Sequence, residues 1–259
     1  TDSYSNSPTS GRIKIQAGEK KKIEIYLIDF HQNTTKVTVE VKGLPQKTSP
    51  INYLADHLSS GMKELDGASI YWKSHSFYDL IPDKLNLSQI KKSSFSKTYD
   101  IFREESFPIH KNLEIVFNHW TAPQHLYDKL IVVGENIKGK KKIYPTTLDG
   151  KNIKSAISEA ALVYLDVDTI GPRIQLLNFQ NSSQSFSQNK ISVRITDDKS
   201  GIQSYNGYID GQWVLFEYDA KNDLLEHHLD NNLVGFHELK IKVADRTNNI
   251  TEKTVRFKK

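Results

Sequence analysis

Ile191, Val193 and Ile195 alternate with polar residues, and Leu239, Ile241 and Val243 do the same. Alternation with a period of two puts the apolar side chains of a run on one face, the pattern of a half-buried β-strand. The runs are short and closely spaced. Residues 172–179, 190–196, 202–209, 212–218, 223–229, 237–244 and 250–257 follow one another, separated by turn-forming residues. Asp210-Gly211 between two of them signals a hairpin, because glycine accepts the positive φ of a tight turn. Seven strands within about 90 residues predict an immunoglobulin-like β-sandwich over 168–259. Composition agrees, since 12 Tyr and 11 Phe favour strands and can supply several modest cores.

One run departs from the pattern. In QWVLFEY, Trp213 and Leu215 fall on one face and Val214, Phe216 and Tyr218 on the other. Both faces are apolar, so the outer one is expected to be covered by another part of the chain or by a partner. Trp213, Phe216 and Tyr218 are therefore candidate interaction residues.

Upstream, residues 50–167 hold further strand-like runs, including ASIYWKSHSFYDLI, LEIVFNHW, KLIVVGENI and AALVYLDV. They predict a second all-β domain, a sandwich with more loop; INYLADHLSSGMKEL could hold a short helix or a crossing loop. The first 43 residues offer only three runs, 12–16, 22–29 and 36–42. Their last part is written again at the end of the chain: Asp29 and Asn33 in LIDFHQNTTKVTVEV match Asp245 and Asn249 in VADRTNNITEKTVRF. By that internal match, 1–43 are the C-terminal strands of an incomplete immunoglobulin-like domain. With Thr1 rather than Met at the start, the expectation is a cleaved or trimmed C-terminal portion of a longer protein.

The repeated Asp-x3-Asn reads as a turn, with Asp accepting backbone N–H bonds and Asn tolerating the left-handed conformation. A calcium loop needs six to eight oxygen ligands, and each copy offers two side chains. Asp197 and Asp198 in TDDKSGI could meet Asp245 at one end of the sandwich as a weak calcium site. His75-x3-Asp79 has a spacing used in zinc hydrolases, but no His-x-His or His-Glu-x-x-His completes a catalytic site. His227 and His228 are adjacent, so on a strand they point to opposite faces. No nucleophile elbow, phosphate-binding glycine loop or dinucleotide fingerprint is present, and the carboxylate pairs Glu104-Glu105 and Asp197-Asp198 have no visible cleft. No enzyme activity and no cofactor are expected of this chain. The four Asn-x-Ser/Thr sequences, at Asn33, Asn86, Asn181 and Asn249, are coincidence outside a eukaryotic secretory pathway.

With 35 basic against 31 acidic residues, the charge is too even to point to nucleic acid. Lys138 and Lys140–142 lack interleaved aromatics and read as a solvated loop. No stretch reaches the roughly 18 apolar residues needed to span a bilayer. Cysteine is absent, so disulfides and thiolate metal sites are excluded.

Several stretches carry a family resemblance. VDTIGPRIQLLNF, KISVRITDDKSGIQSYNGYIDGQWVLFEYDAKNDLL and GFHELKIKVADRTNN resemble the terminal β-domain of large envelope proteins of Bacteroidetes. In that family a lysostaphin/LytM-type zinc metallopeptidase domain precedes several β-sandwich modules. SFYDLI, SKTYDIFREESFPIHKNLEI and AALVYLDVDT resemble the module before the last, and GEKKKIEIYLIDFHQNTTKV the end of the first. The resemblance runs from about Gly11 to the end and is most specific over 167–259. It implies that the catalytic domain is absent here and that His75 and Asp79 lie in the wrong module to be zinc ligands. It also implies O-glycosylation of Asp-Ser/Thr-apolar motifs, which makes Thr169 of DTI a candidate sugar site.

The expected role is thus non-catalytic: sandwiches of a peptidase-like protein of the periplasm or outer membrane that dock it to a protein partner or to the missing N-terminal part. Alternatives are an interaction subunit of an outer-membrane secretion or gliding assembly, and a carbohydrate- or peptidoglycan-binding module using Trp72, Trp120 and Trp213.

Overall fold

The computed structural model describes residues 13, 15–45, 53–55, 57–78, 80–83, 85–103, 107–179, 189–230 and 232–259. It is all-β, with tandem β-sandwiches of immunoglobulin-like type. Two units cohere separately, Thr1–Ile51 and Asn52–Lys259.

The first unit is one antiparallel hairpin. Strands β1 (Lys20–Ile28) and β2 (Thr34–Lys42) pair from Lys20 opposite Lys42 to Ile28 opposite Thr34. Of the expected third run, Ile15 and Gln16 are not in a strand and Arg12 lies outside the described residues. Ile25, Leu27, Val37 and Val39 stay exposed. A lone two-stranded hairpin is marginal in water, and among the described residues of this unit nothing covers its apolar surface.

The second unit begins with a ten-stranded sandwich and a small flanking pair. In chain order its strands are β3 (Tyr53–Ala55), β4 (Gly61–Leu65), β5 (Ala68–Trp72), β6 (Ile81–Pro82), β7 (Leu85–Leu87), β8 (Tyr99–Ile101) and β9 (Leu113–Phe117). After a 3-10 turn at Gln124–Lys129 come β10 (Leu130–Glu135), β11 (Lys141–Tyr144), β12 (Thr147–Asp149), β13 (Asn152–Ile157) and β14 (Ala161–Val167). One sheet runs β11-β10-β14-β8-β7 and the other β12-β13-β9-β5-β4, with β3-β6 apart. Ile70, Ile115, Phe117 and Ile153 from one sheet meet Tyr99, Ile101, Val132 and Val163 from the other in a single core. The segment INYLADHLSSGMKEL forms β3 and β4, with no helix among its described residues. Strand β10 is buried along its whole length. Its Ile131 and Val133 form a second small cluster with Tyr164 on the far side of the sheet.

The last sandwich has eight strands: β15 (Arg173–Leu176), β16 (Lys190–Thr196), β17 (Ile202–Ile209), β18 (Gln212–Val214), β19 (Glu217–Asp219), β20 (Leu224–His228), β21 (Phe236–Asp245) and β22 (Ile250–Lys258). They form two sheets, β15-β16-β20-β19 and β18-β17-β21-β22, the immunoglobulin arrangement with an added strand beside the third. The alternation read in the sequence holds: Ile191, Val193, Ile195, Leu239, Ile241 and Val243 all point into the core. The run 212–218 does not stay whole, because β18 and β19 belong to opposite sheets. Leu215 and Phe216 make the crossing between them.

Candidate functional site

Two features of the second unit stand out, the joint between its sandwiches and the exposed corner at Trp213. The joint is built on the repeated turn. In the first copy, Asn33 donates its backbone N–H to Asp29 Oδ1 and its side-chain amide to Asp29 Oδ2, each at 2.8 Å. In the second, Asn249 does the same to Asp245, at 2.8 and 2.7 Å. The turn reading is right, with one correction. The left-handed residue precedes the Asn: it is Gln32 (φ 64) in one copy and Asn248 (φ 59) in the other. These bonds hold the exposed Asp29 carboxyl below the usual carboxylate range, chiefly through the Asn33 side chain.

The second copy adds a clasp. Asp245 continues the inward row of Leu239, Ile241 and Val243 and is 0% exposed. The Thr247 hydroxyl bonds Asp245 Oδ1 at 3.0 Å and lies 3.2 Å from the backbone oxygen of Asp168, which also accepts from Asn249 Nδ2 at 3.0 Å. Asp168 sits in the linker between β14 and β15, and its N–H donates to Lys129 O at 2.8 Å. Lys129 Nζ in turn donates to Thr247 O at 2.6 Å. From the other loop, Lys199 Nζ reaches Val167 O at 2.7 Å and Asp166 Oδ2 at 3.1 Å. Backbone and side-chain bonds thus fasten the last sandwich to the one before it. Beside them lies a cavity of about 540 Å³, walled by Leu130, Ile131, Tyr144 and Ile153 on one side and Ser200, Gln203, Arg246 and Thr247 on the other.

The acidic residues meet differently from the sequence expectation. Asp197 and Asp245 do come together, but with Asp168 in place of Asp198. Asp198 is exposed and pairs with Arg173 Nη2 at 2.7 Å. Of the adjacent pair, Asp197 is the one whose carboxyl meets the other two. Asp197 accepts bonds from the N–H groups of Lys199 and Gly201. Burial nevertheless pushes its carboxyl up, and the negative charges of Asp168 and Asp245 push the same way. Nothing in the sequence singled out Asp168, which lies beyond the end of the β14 alternation.

The corner at Trp213 also corrects the expectation. Phe216 is 3% exposed, a core residue packed where Gly207 leaves room, and Tyr218 is half-buried against the same core. Phe216 is thus not available to a partner, and Tyr218 is available only in part. Trp213 and Leu215 remain 57% and 62% exposed, so the expected cover over this face is not supplied by the described residues. The Trp213 indole N–H bonds Asn206 Oδ1 at 3.2 Å on the neighbouring strand. Of the other tryptophans, Trp72 is in the core and Trp120 is half-buried, bonded to Lys151 O and edge-on to Tyr127. The three make no common aromatic platform.

The remaining candidates fall where their residue types suggested or outside the described residues. Thr169 is exposed in the linker, but Asp168 of the same DTI motif is 1% exposed. His75 occupies a turn with φ 62, while Asp79, Glu104, Glu105 and Asn181 lie outside the described residues. Lys138 and Lys140–142 are exposed, with Lys142 paired to Glu159. No helix among the described residues is long and apolar enough to cross a membrane.

No family model matches the chain, and no curated protein does. Among solved structures it is similar to the fibronectin(III)-like modules of CbhA from Clostridium thermocellum. There the identity is 13% and the TM-score 0.29, over 94% of this chain and 87% of that one. A superposition that loose says nothing of what this chain binds.

Proposed function

We propose that this chain is a non-catalytic docking region of a cell-envelope protein, in which the fastened pair of sandwiches presents the Trp213–Leu215 corner to a protein partner. The observation that carries the reading is the exposure of Trp213, on the short edge strand β18, and of Leu215 just beyond its end. Large apolar side chains at a sheet edge, rimmed by charge, favour a protein partner, with tryptophan as the anchor. Charge stands farther along the same sheet, beyond β17, where Lys240 and Lys242 both pair with Glu252 across β21 and β22. A sugar-binding role has less support, because stacking on a sugar needs coplanar exposed rings and Trp213 is the exposed tryptophan. The envelope setting rests on the sequence resemblance alone.

The test is site-specific photocrosslinking from position 213 in cells of the source organism, followed by affinity measurement with the captured partner. Trp213→Ala with Leu215→Ala should weaken that partner's binding by about 10-fold or more, as loss of a buried anchor does. Capture of the zinc peptidase part of the same protein supports the leading assignment, and capture of an outer-membrane assembly supports the alternative. Unchanged affinity in the double variant overturns the docking role of this corner.

A further inference from the structure

One carboxylate oxygen from each of Asp168, Asp197 and Asp245 lies within 4.8 Å of the others. Calcium binds oxygen at about 2.4 Å, so ligands facing each other across one ion stand about 4.8 Å apart. Asp168 and Asp245 are buried, and among the described residues no basic side chain forms an ion pair with any of the three. Lys199, next in sequence to the cluster, is directed to Asp166 and Val167 instead. Like charges gathered in a buried place require a compensating positive charge. The oxygens also have capacity left. Asp197 Oδ1 takes two N–H bonds, and no donor among the described residues reaches its Oδ2. Asp245 Oδ2 accepts from Asn249 Nδ2, and each Asp168 oxygen accepts one N–H.

A second observation is independent of the carboxylates. Ser200 is 3% exposed, and its hydroxyl oxygen is sealed from solvent with no hydrogen-bond partner. Buried hydroxyls are almost always paired, and an orphan requires a reason. The Ser200 N–H bonds Asp168 Oδ2 at 2.9 Å, and the N–H groups on either side bond Asp197 Oδ1. The main chain carrying this unpaired oxygen is thus bonded to Asp168 and Asp197 at three successive N–H groups. We propose that Asp168, Asp197 and Asp245, joined by the Ser200 hydroxyl and by water, bind a calcium ion that locks the linker to both loops of the last sandwich. An all-oxygen set without His or Cys suits calcium and not zinc. Three converging carboxylates disfavour magnesium, which takes one or two carboxylates and keeps several waters. This site is separate from the Trp213 corner and stands or falls without it.

Calorimetric titration of the EGTA-stripped chain with calcium chloride, with thermal melts in parallel, decides the matter. One ion per chain should bind with a Kd on the order of 0.1–1 mM, the range of extracellular calcium modules, and raise Tm. Asp197→Asn, which keeps an acceptor for the Lys199 and Gly201 N–H groups, should weaken binding by about 10-fold or more, and Ser200→Ala several-fold. Asp198→Asn should change neither. Absence of both heat and a Tm rise up to about 10 mM calcium overturns the proposal, as does unaltered binding by Asp197→Asn. A preference for magnesium overturns the ion assigned.

Discussion

Thr247 shows how much a single side chain contributes at the joint. Its hydroxyl serves Asp245 Oδ1 and stands within reach of Asp168 O, and it is buried. Thr247→Val keeps the shape and deletes the hydroxyl, removing the one bond it donates, to Asp245 Oδ1 or Asp168 O, and the one it accepts from Asn249 Nδ2. The expected loss is about 1–2 kcal/mol, read by urea unfolding of the full chain. Destabilisation indistinguishable from zero would mean that water satisfies those oxygens equally well. At this scale the sequence is partly legible. Asp245 is readable as inward-facing because it keeps step with Leu239, Ile241 and Val243. Asp168 and Ser200 are not, since each lies in a loop, where strand parity lapses and side-chain direction depends on the turn.

At the scale of elements, a run that is apolar on both faces is expected to be covered on both, and two runs of the chain show the outcomes. In LIVVGE of β10 the rule holds, with Leu130 and Val132 in the main core and Ile131 and Val133 in the small cluster behind it. In QWVLFEY it fails, because the run is not one strand: its Phe216 crosses to the core while Trp213 and Leu215 stay outside. Glycine explains the crossing. A Cβ on Gly207 would stand 2.3 Å from the Phe216 ring, so the ring occupies space that only glycine leaves. Gly207→Ala should therefore cost about 1–3 kcal/mol through overpacking, and Phe216→Ala about 3–5 kcal/mol through the cavity. Trp213→Ala should stay within about 1 kcal/mol of the parent. Denaturant titration separates the three; a large loss for Trp213→Ala would place that ring in a fold-stabilising contact. Sandwich strands and their inner faces were thus readable from periodicity, whereas the break at Leu215–Phe216 depends on a glycine one strand away.

For the whole molecule, the two units differ in how much apolar surface they bury by themselves. The hairpin β1–β2 leaves most of its apolar residues exposed, while β10 and β14 are enclosed on both sides. Amide hydrogen exchange should accordingly be faster by about two orders of magnitude or more in β1–β2 than in β10 and β14. Equal protection would show that a second chain or partner covers the hairpin in solution. The shared turn gives this contrast a further meaning. Asp29 and Asn33 make the same bonds as Asp245 and Asn249, but position three of the turn is His31 in one and Thr247 in the other. The Thr247 hydroxyl adds to the bonds of Asn249 Nδ2 and Lys129 Nζ that tie this turn to the linker and the preceding sandwich. The same turn thus serves in one copy as an exposed strand reversal and in the other as part of a buried joint.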